Sequence, residues 1–187
     1  MTTVKPIYLI ALLAVIAFVV YIKVSNPYRA YSSSSFWENA TLASVSEIPE
    51  EALKPGNKNG PVLMWAAIGS QNPTVLRALV ERGADINEAD SFFKGTPLTG
   101  AAGYTKNPEM LKELIKLGAD INKTVHSDET ALMIAARFNQ NPEIITTLIR
   151  LGSEINQESS NGETALDIAT KSKNEVAIEQ LKAFTSQ

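Results

Sequence analysis

The sequence predicts an all-α solenoid, a stack of helix-turn-helix units with projecting loops, preceded by an N-terminal transmembrane helix. Three observations predict it. Gly83-Ala84-Asp85-Ile86-Asn87 returns as Gly118-Ala119-Asp120-Ile121-Asn122 and as Gly152-Ser153-Glu154-Ile155-Asn156, at spacings of 35 and 34 residues. A period in that range marks stacked repeats, each burying its apolar face only against its neighbours. Each period also holds one helix built around a small pair and a second with apolar residues at i, i+3 and i+4. Finally, residues 6–22 carry no charge.

That uncharged stretch comes first along the chain. At ~1.5 Å rise it spans ~25 Å, within the transmembrane range. Tyr8 and Tyr21 stand near its ends, where interfacial aromatics belong. A cleaved signal needs small residues before the cut. Arg29-Ala30 has the bulky Tyr28 behind it, and Ser25 runs into Asn26-Pro27. A buried helix of a soluble domain would keep a polar face, and this stretch has none. Residues 1–24 therefore read as an uncleaved signal anchor. Lys5 on one side is matched by Lys23 and Arg29 on the other, so charge does not set the orientation. A very short tail ahead of a single anchor places the repeats outside the cytoplasm. In a Gram-negative host that is the bacterial inner membrane, single-pass, with the repeats in the periplasm. Residues 25–35, with their serine run, read as a polar tether.

A stack must close its ends, since terminal units expose a face that inner units bury. Phe36, Trp37, Ala40 and Leu42, then Val45, Ile48, Ala52 and Leu53, suit two short helices closing the first full repeat. Pro49 forbids one long helix there. Residues 36–56 are the expected N-terminal cap.

Repeats follow at 57–90, 91–124 and 125–158. Leu63-Met64-Trp65-Ala66-Ala67, Leu98-Thr99-Gly100-Ala101-Ala102 and Leu132-Met133-Ile134-Ala135-Ala136 are their first helices. The alanine pairs let neighbouring helices approach closely, and Trp65 reads as core by register. Thr96, Thr130 and Thr164 stand where a side chain can cap an orphan N–H. Asn72-Pro73, Asn107-Pro108 and Asn141-Pro142 pair a cap with Pro at the first helical position. The Gly after each second helix suits a left-handed C-cap. Residues 159–187 repeat the first helix with a more polar second one, and read as the C-terminal capping repeat.

These residues resemble the ankyrin-repeat family. Thr96-Pro97-Leu98, Ala101-Ala102 and Gly118-Ala119-Asp120-Ile121-Asn122 fall within one unit, and the likeness covers roughly residues 57–184. The resemblance implies units of a β-turn finger and two antiparallel helices. Two departures stand out. The family's usual His after Thr-Pro-Leu is replaced by Met64, Thr99, Met133 and Asp167, so the bond that braces the loop must be replaced or lost. The inter-helix turn is one residue longer than in the common form.

Composition narrows the function. With 17 basic and 20 acidic residues the chain is acidic. Setting aside Lys5, Lys23 and Arg29 leaves 14 against 20, a net of −6 for the rest. Nucleic-acid binders need a basic face. No Cys rules out disulfides and thiol chemistry, and one His with no Cys makes no zinc site. His126, Ser127 and Asp128 are sequence neighbours, whereas a catalytic triad is assembled across a fold. No Gly-rich phosphate loop occurs. The chain is expected to be non-catalytic, to need no cofactor or metal, and to be a monomer when free.

The resemblance implies protein binding at the finger tips and at the positions after Ala-Ala. Here those places hold Phe92, Phe93 and Lys94, then His126, Ser127 and Glu129, then Ser160 and Asn161. Along the helices they hold Ile68, Tyr104, Arg137, Phe138 and Lys171. Adjacent aromatics in a loop point to a contact, and aromatics with Arg dominate interface hot spots. For Tyr104 and Phe138, core packing at the helix turn is an equal reading. The architecture is similar to that of certain immunity proteins that neutralise antibacterial effectors such as phospholipases. The expected partner is thus an enzyme or toxin, a lipase among the possibilities. A periplasmic factor that protects an endogenous envelope enzyme is the alternative.

Overall fold

A computed structural model describes residues 31, 34–56, 61–90 and 94–185. The described residues form helices and no strand. Three short helices come first: α1 (Ser34–Glu38), α2 (Leu42–Ser46) and α3 (Glu50–Leu53). Four helical pairs follow. They are α4 (Val62–Gly69) with α5 (Thr74–Glu81), α6 (Pro97–Tyr104) with α7 (Pro108–Lys116), α8 (Ala131–Phe138) with α9 (Pro142–Arg150), and α10 (Ala165–Lys171) with α11 (Glu175–Thr185). No helix among the described residues is long and apolar enough to cross a membrane. The signal anchor expected at residues 1–24 lies outside the described residues.

The first helices α4, α6, α8 and α10 pack most closely on one another, and the second helices form a parallel layer. Close approach needs small side chains. Ala66, Ala67, Ala101, Ala102, Ala135 and Ala136 are completely buried between the first helices. Leu76, Leu79, Leu111, Leu114, Ile145 and Leu148 fill the space between layers. Burying each such side chain is worth roughly 1.5–3 kcal/mol.

The helix starts follow their sequences. Thr96, Thr130 and Thr164 cap α6, α8 and α10 by accepting from the backbone N–H of Thr99, Met133 and Asp167. The position where the family carries His supplies the return bond. Thr99 Oγ1 accepts from Thr96 N–H at 2.8 Å, Asp167 Oδ2 from Thr164 N–H at 2.9 Å, and Met133 Sδ from Thr130 N–H at 3.5 Å. The bracing bond is replaced by a reciprocal capping box. Only the first unit lacks it, because Pro61 has neither an N–H nor a capping side chain. Asn107 and Asn141 cap α7 and α9 ahead of Pro at the first helical position. Gly83, Gly118 and Gly152 adopt φ of +97°, +98° and +103°, ending the second helices with a left-handed residue.

Asparagines hold the units in register. Asn139 Nδ2 donates to the carbonyls of Ala102 and Thr105, and Asn174 Nδ2 to those of Ala136 and Asn139. Asn107 and Asn141 reach back to the Gln71 and Lys106 carbonyls. At the other edge Asn87 Oδ1 accepts from Asp120 N–H, and Asn122 Oδ1 from Glu154 N–H. Each bond satisfies a backbone group, and those made by the buried Asn139 and Asn174 reach carbonyls shielded from solvent.

The N-terminal cap has three short helices where two were expected. Pro49 does interrupt it, and it does so by starting α3. Trp37 is completely buried, and its indole N–H donates to the Tyr31 carbonyl at 2.8 Å. One arginine holds the cap to the stack, since the Arg82 guanidinium donates to the carbonyls of Val45 and Ile48. Trp65, expected in the core, is half-buried and packs against it from the side.

Candidate functional site

The solvent-facing stripe of the first helices is built from positions three and four apart. It reads Trp65 and Ile68 in α4, Gly100 and Tyr104 in α6, with Gly103 buried beside them, and Ile134, Arg137 and Phe138 in α8. Two glycines in one short helix weaken it, so they need a reason. A Cβ at Gly100 would stand 2.8 Å from Met64 Cγ and 3.2 Å from Ile68 Cδ1. One at Gly103 would stand 3.1 Å from Ile134 Cγ2. The glycines therefore let Met64 and Ile68 from one side, and Ile134 from the other, close over α6. The stripe is apolar across the first two units, carries Arg137 between Ile134 and Phe138 in the third, and is polar in the fourth, where Thr170, Lys171 and Ser172 are exposed.

Tyr104 and Phe138 end α6 and α8 at equivalent positions. Their rings stack across the two units at 5.7 Å and 22°. Both stay exposed, at 57% and 46%. Of the two readings open on the sequence, the structure removes core packing and leaves an aromatic platform on the surface. Such a pair is worth ~0.5–1.5 kcal/mol beyond its buried area. The Arg137 guanidinium lies 5.8 Å from the Phe138 ring centre.

Two predicted contact residues are bound to each other. Glu129 is buried and pairs with Arg137. Glu129, expected as a partner contact, holds Arg137 along α8. The fourth unit repeats the device, with Glu163 pairing Lys171 at the same separation. The signal was present in the sequence as a carboxylate eight residues before a cation. In the second unit those two positions are Gly95 and Gly103, so the ladder of ion pairs stops short of α6.

The fingers differ in length. Val125 N–H bonds the Glu129 carbonyl and Ser159 N–H the Glu163 carbonyl, each closing over three residues. Asp90 N–H bonds the Gly95 carbonyl at 2.9 Å, closing over four, which accounts for the spacing of 35. Asp90 is buried and its carboxylate accepts from Gly95 N–H at 2.6 Å. Phe92 and Phe93 belong to this longer finger and lie outside the described residues. Lys94 is exposed with φ +58°. In the third finger His126 is exposed and opens a single 3₁₀ turn, while Ser127 and Asp128 take φ of +64° and +55°. Ser160 ties the fourth finger to the third, its N–H and hydroxyl both donating to the Ser127 carbonyl at 3.0 Å. Asn161 is exposed beside it.

Among the described residues no cluster of His, Asp and Glu could hold a metal ion. A shallow hollow of about 500 Å³ between α2 and α5 is lined by Leu42, Val45 and Ala78 together with Ser46, Arg77 and Glu81. Two carboxyls depart from their ordinary range. Burial pushes Glu88 up, against a hydrogen bond from Gly56 N–H. Bonds from the Thr164 hydroxyl and N–H hold Asp167 down. Both have structural causes, a tie to the cap and a helix start.

Residues 98–184 match the family model for ankyrin repeats in three copies, and residues 61–91 match that for a single ankyrin repeat. Together the matches cover more than half of the chain. No curated protein matches it.

Proposed function

From a chain that belongs to the ankyrin-repeat family, a protein-interaction module, we propose a non-catalytic binder that grips a protein partner on the exposed stripe of its first helices and on its finger tips. The observation that carries this reading is the Tyr104–Phe138 stack, two large rings left in solvent at equivalent positions of adjacent units. A monomer keeps a flat aromatic pair exposed at the cost of unfavourable hydration, and interfaces draw most of their energy from such rings.

In its concrete form, the module is held at the bacterial inner membrane by residues 1–24 and faces the periplasm. There it binds and neutralises an incoming antibacterial effector such as a phospholipase, as an immunity protein. The uncharged stretch at residues 6–22 and the similarity of architecture support this. The alternative is a factor that protects an endogenous envelope enzyme. Affinity capture with a C-terminally tagged chain in its own host, read by mass spectrometry, separates the two. An effector encoded beside this chain supports immunity, and a housekeeping envelope enzyme supports protection. Capture of neither by the wild-type chain contradicts both. Running Phe92→Ala with Phe93→Ala alongside tests the longer finger, where loss of capture with an unchanged melt places a contact.

A further inference from the structure

The two edges of the stack carry opposite charge. The fingers and their approaches, residues 84–95, 119–129 and 153–163, hold nine acidic residues against Lys94 and Lys123. The inter-helix turns, residues 69–74, 103–108, 137–142 and 171–174, hold Lys106, Arg137, Lys171 and Lys173 and no acid at all. A positive edge on an acidic stack is a local arrangement, since net charge runs the other way.

That edge also bears the aromatic platform. The asparagine bonds from Asn141 to the Lys106 carbonyl and from Asn174 to the Asn139 carbonyl set the three turns side by side. Tyr104 and Lys106 therefore share one border with Phe138 and Lys173. Arg137 and Lys171 are already neutralised by Glu129 and Glu163. Lys106 and Lys173 are exposed, and no ion pair among the described residues involves either. The next acids along the chain, Glu109, Glu143 and Glu175, stand in the first turns of the second helices, where they complement the helix N-termini. Glu109 is further engaged by Lys112.

We infer that this edge seats an acidic peptide segment of the partner, with an aromatic or large apolar side chain on the Tyr104–Phe138 platform and carboxylates against Lys106 and Lys173. The inference rests on the binding face proposed above and adds the chemistry of its occupant. An apolar platform alone would accept any greasy side chain. The two lysines make the choice, since like charge opposite them is rejected and opposite charge speeds encounter.

The test selects a phage-displayed random dodecapeptide library on the full chain in detergent, then measures synthetic consensus peptides by fluorescence anisotropy. The expected consensus has an aromatic or large apolar residue flanked by Asp or Glu. Binding should weaken about tenfold or more in Tyr104→Ala with Phe138→Ala, and by a similar factor in Lys106→Glu with Lys173→Glu. All four side chains are exposed, so both double variants should still unfold cooperatively, the aromatic one at a slightly lower temperature because its ring stack is lost. A basic or charge-free consensus, or no enrichment over the aromatic double variant, overturns the inference. Loss of binding on aromatic removal but not on charge reversal refutes the acidic chemistry and leaves the binding face standing. Insensitivity to both pairs of changes refutes the face itself. A lipid surface is the rival occupant. Gln140→Cys gives this cysteine-free chain one dye site beside the platform. A dye shift in nanodiscs that appears only with phosphatidylglycerol, and without peptide, would assign the edge to anionic headgroups and overturn the peptide reading.

Discussion

Single residues in this stack are fixed by small, separable costs. Gly118 has φ +98°, and a Cβ there would meet nothing within 4 Å. Gly118→Ala is therefore expected to lose only the conformational term, about 1 kcal/mol in a chemical denaturation curve, with no change in packing. Ser153 occupies the place that Ala84 and Ala119 take in earlier units, and its buried hydroxyl has no partner. Ser153→Ala should stabilise the fold by about 1 kcal/mol, read as a raised melting temperature. Asp167 gives a pH signature. Its carboxyl is held below the ordinary range, so its contribution is present above that range and fades as pH falls through the lowered value. Acid titration of the melting temperature should lose part of its slope in Asp167→Asn. What the sequence left open at this scale was exposure. Tyr104 and Phe138 stand at the last turn of their helices, where the same spacing serves an inward or an outward ring. Glu129 looked like a finger-tip acid because its partner, Arg137, stands two helical turns away and meets it only once α8 forms.

Helices and turns were legible because their signals are local. Thr-Pro-Leu, Asn-Pro and the trailing Gly each satisfy backbone groups at a helix end, and each performs that role in the structure. The cap was harder to read because its segments are shorter than one helical repeat of the apolar pattern. Phe36 through Leu53 fits two helices as well as three, and the Thr41 cap together with Pro49 at the start of α3 decides it. The device that docks the cap was invisible, since Arg82 lies more than thirty residues from the carbonyls it holds. Arg82→Ala should free the cap at a cost of about 1–3 kcal/mol, with faster amide exchange at residues 42–53 and little change beyond α6. Unaltered exchange there would mean that apolar packing alone seats the cap. Ala101 is completely buried between first helices, so Ala101→Asp should unfold the stack. A native-like melt for that variant would contradict the register.

At the scale of the molecule, repetition supplies the frame, and the proposed face lies where the repetition is broken. The second unit carries them together: a finger one residue longer, two glycines on the first helix, and Tyr104 at its end. The ion pairs of the third and fourth units stop before it, and Met64, Ile68 and Ile134 close over its two glycines instead. The period was plain in the sequence because it is carried by the core. The charge division between the two edges became visible only when the turns were set side by side by the asparagine bonds. The central claim, that this chain acts by gripping a protein through Tyr104 and Phe138, is tested most directly by calorimetric titration of the captured partner into wild type and into Tyr104→Ala with Phe138→Ala, with melts recorded for both. The account predicts an affinity loss of about 2–4 kcal/mol with a cooperative melt lowered only by the loss of the ring stack, about 0.5–1.5 kcal/mol. Equal affinity for the two chains would contradict it.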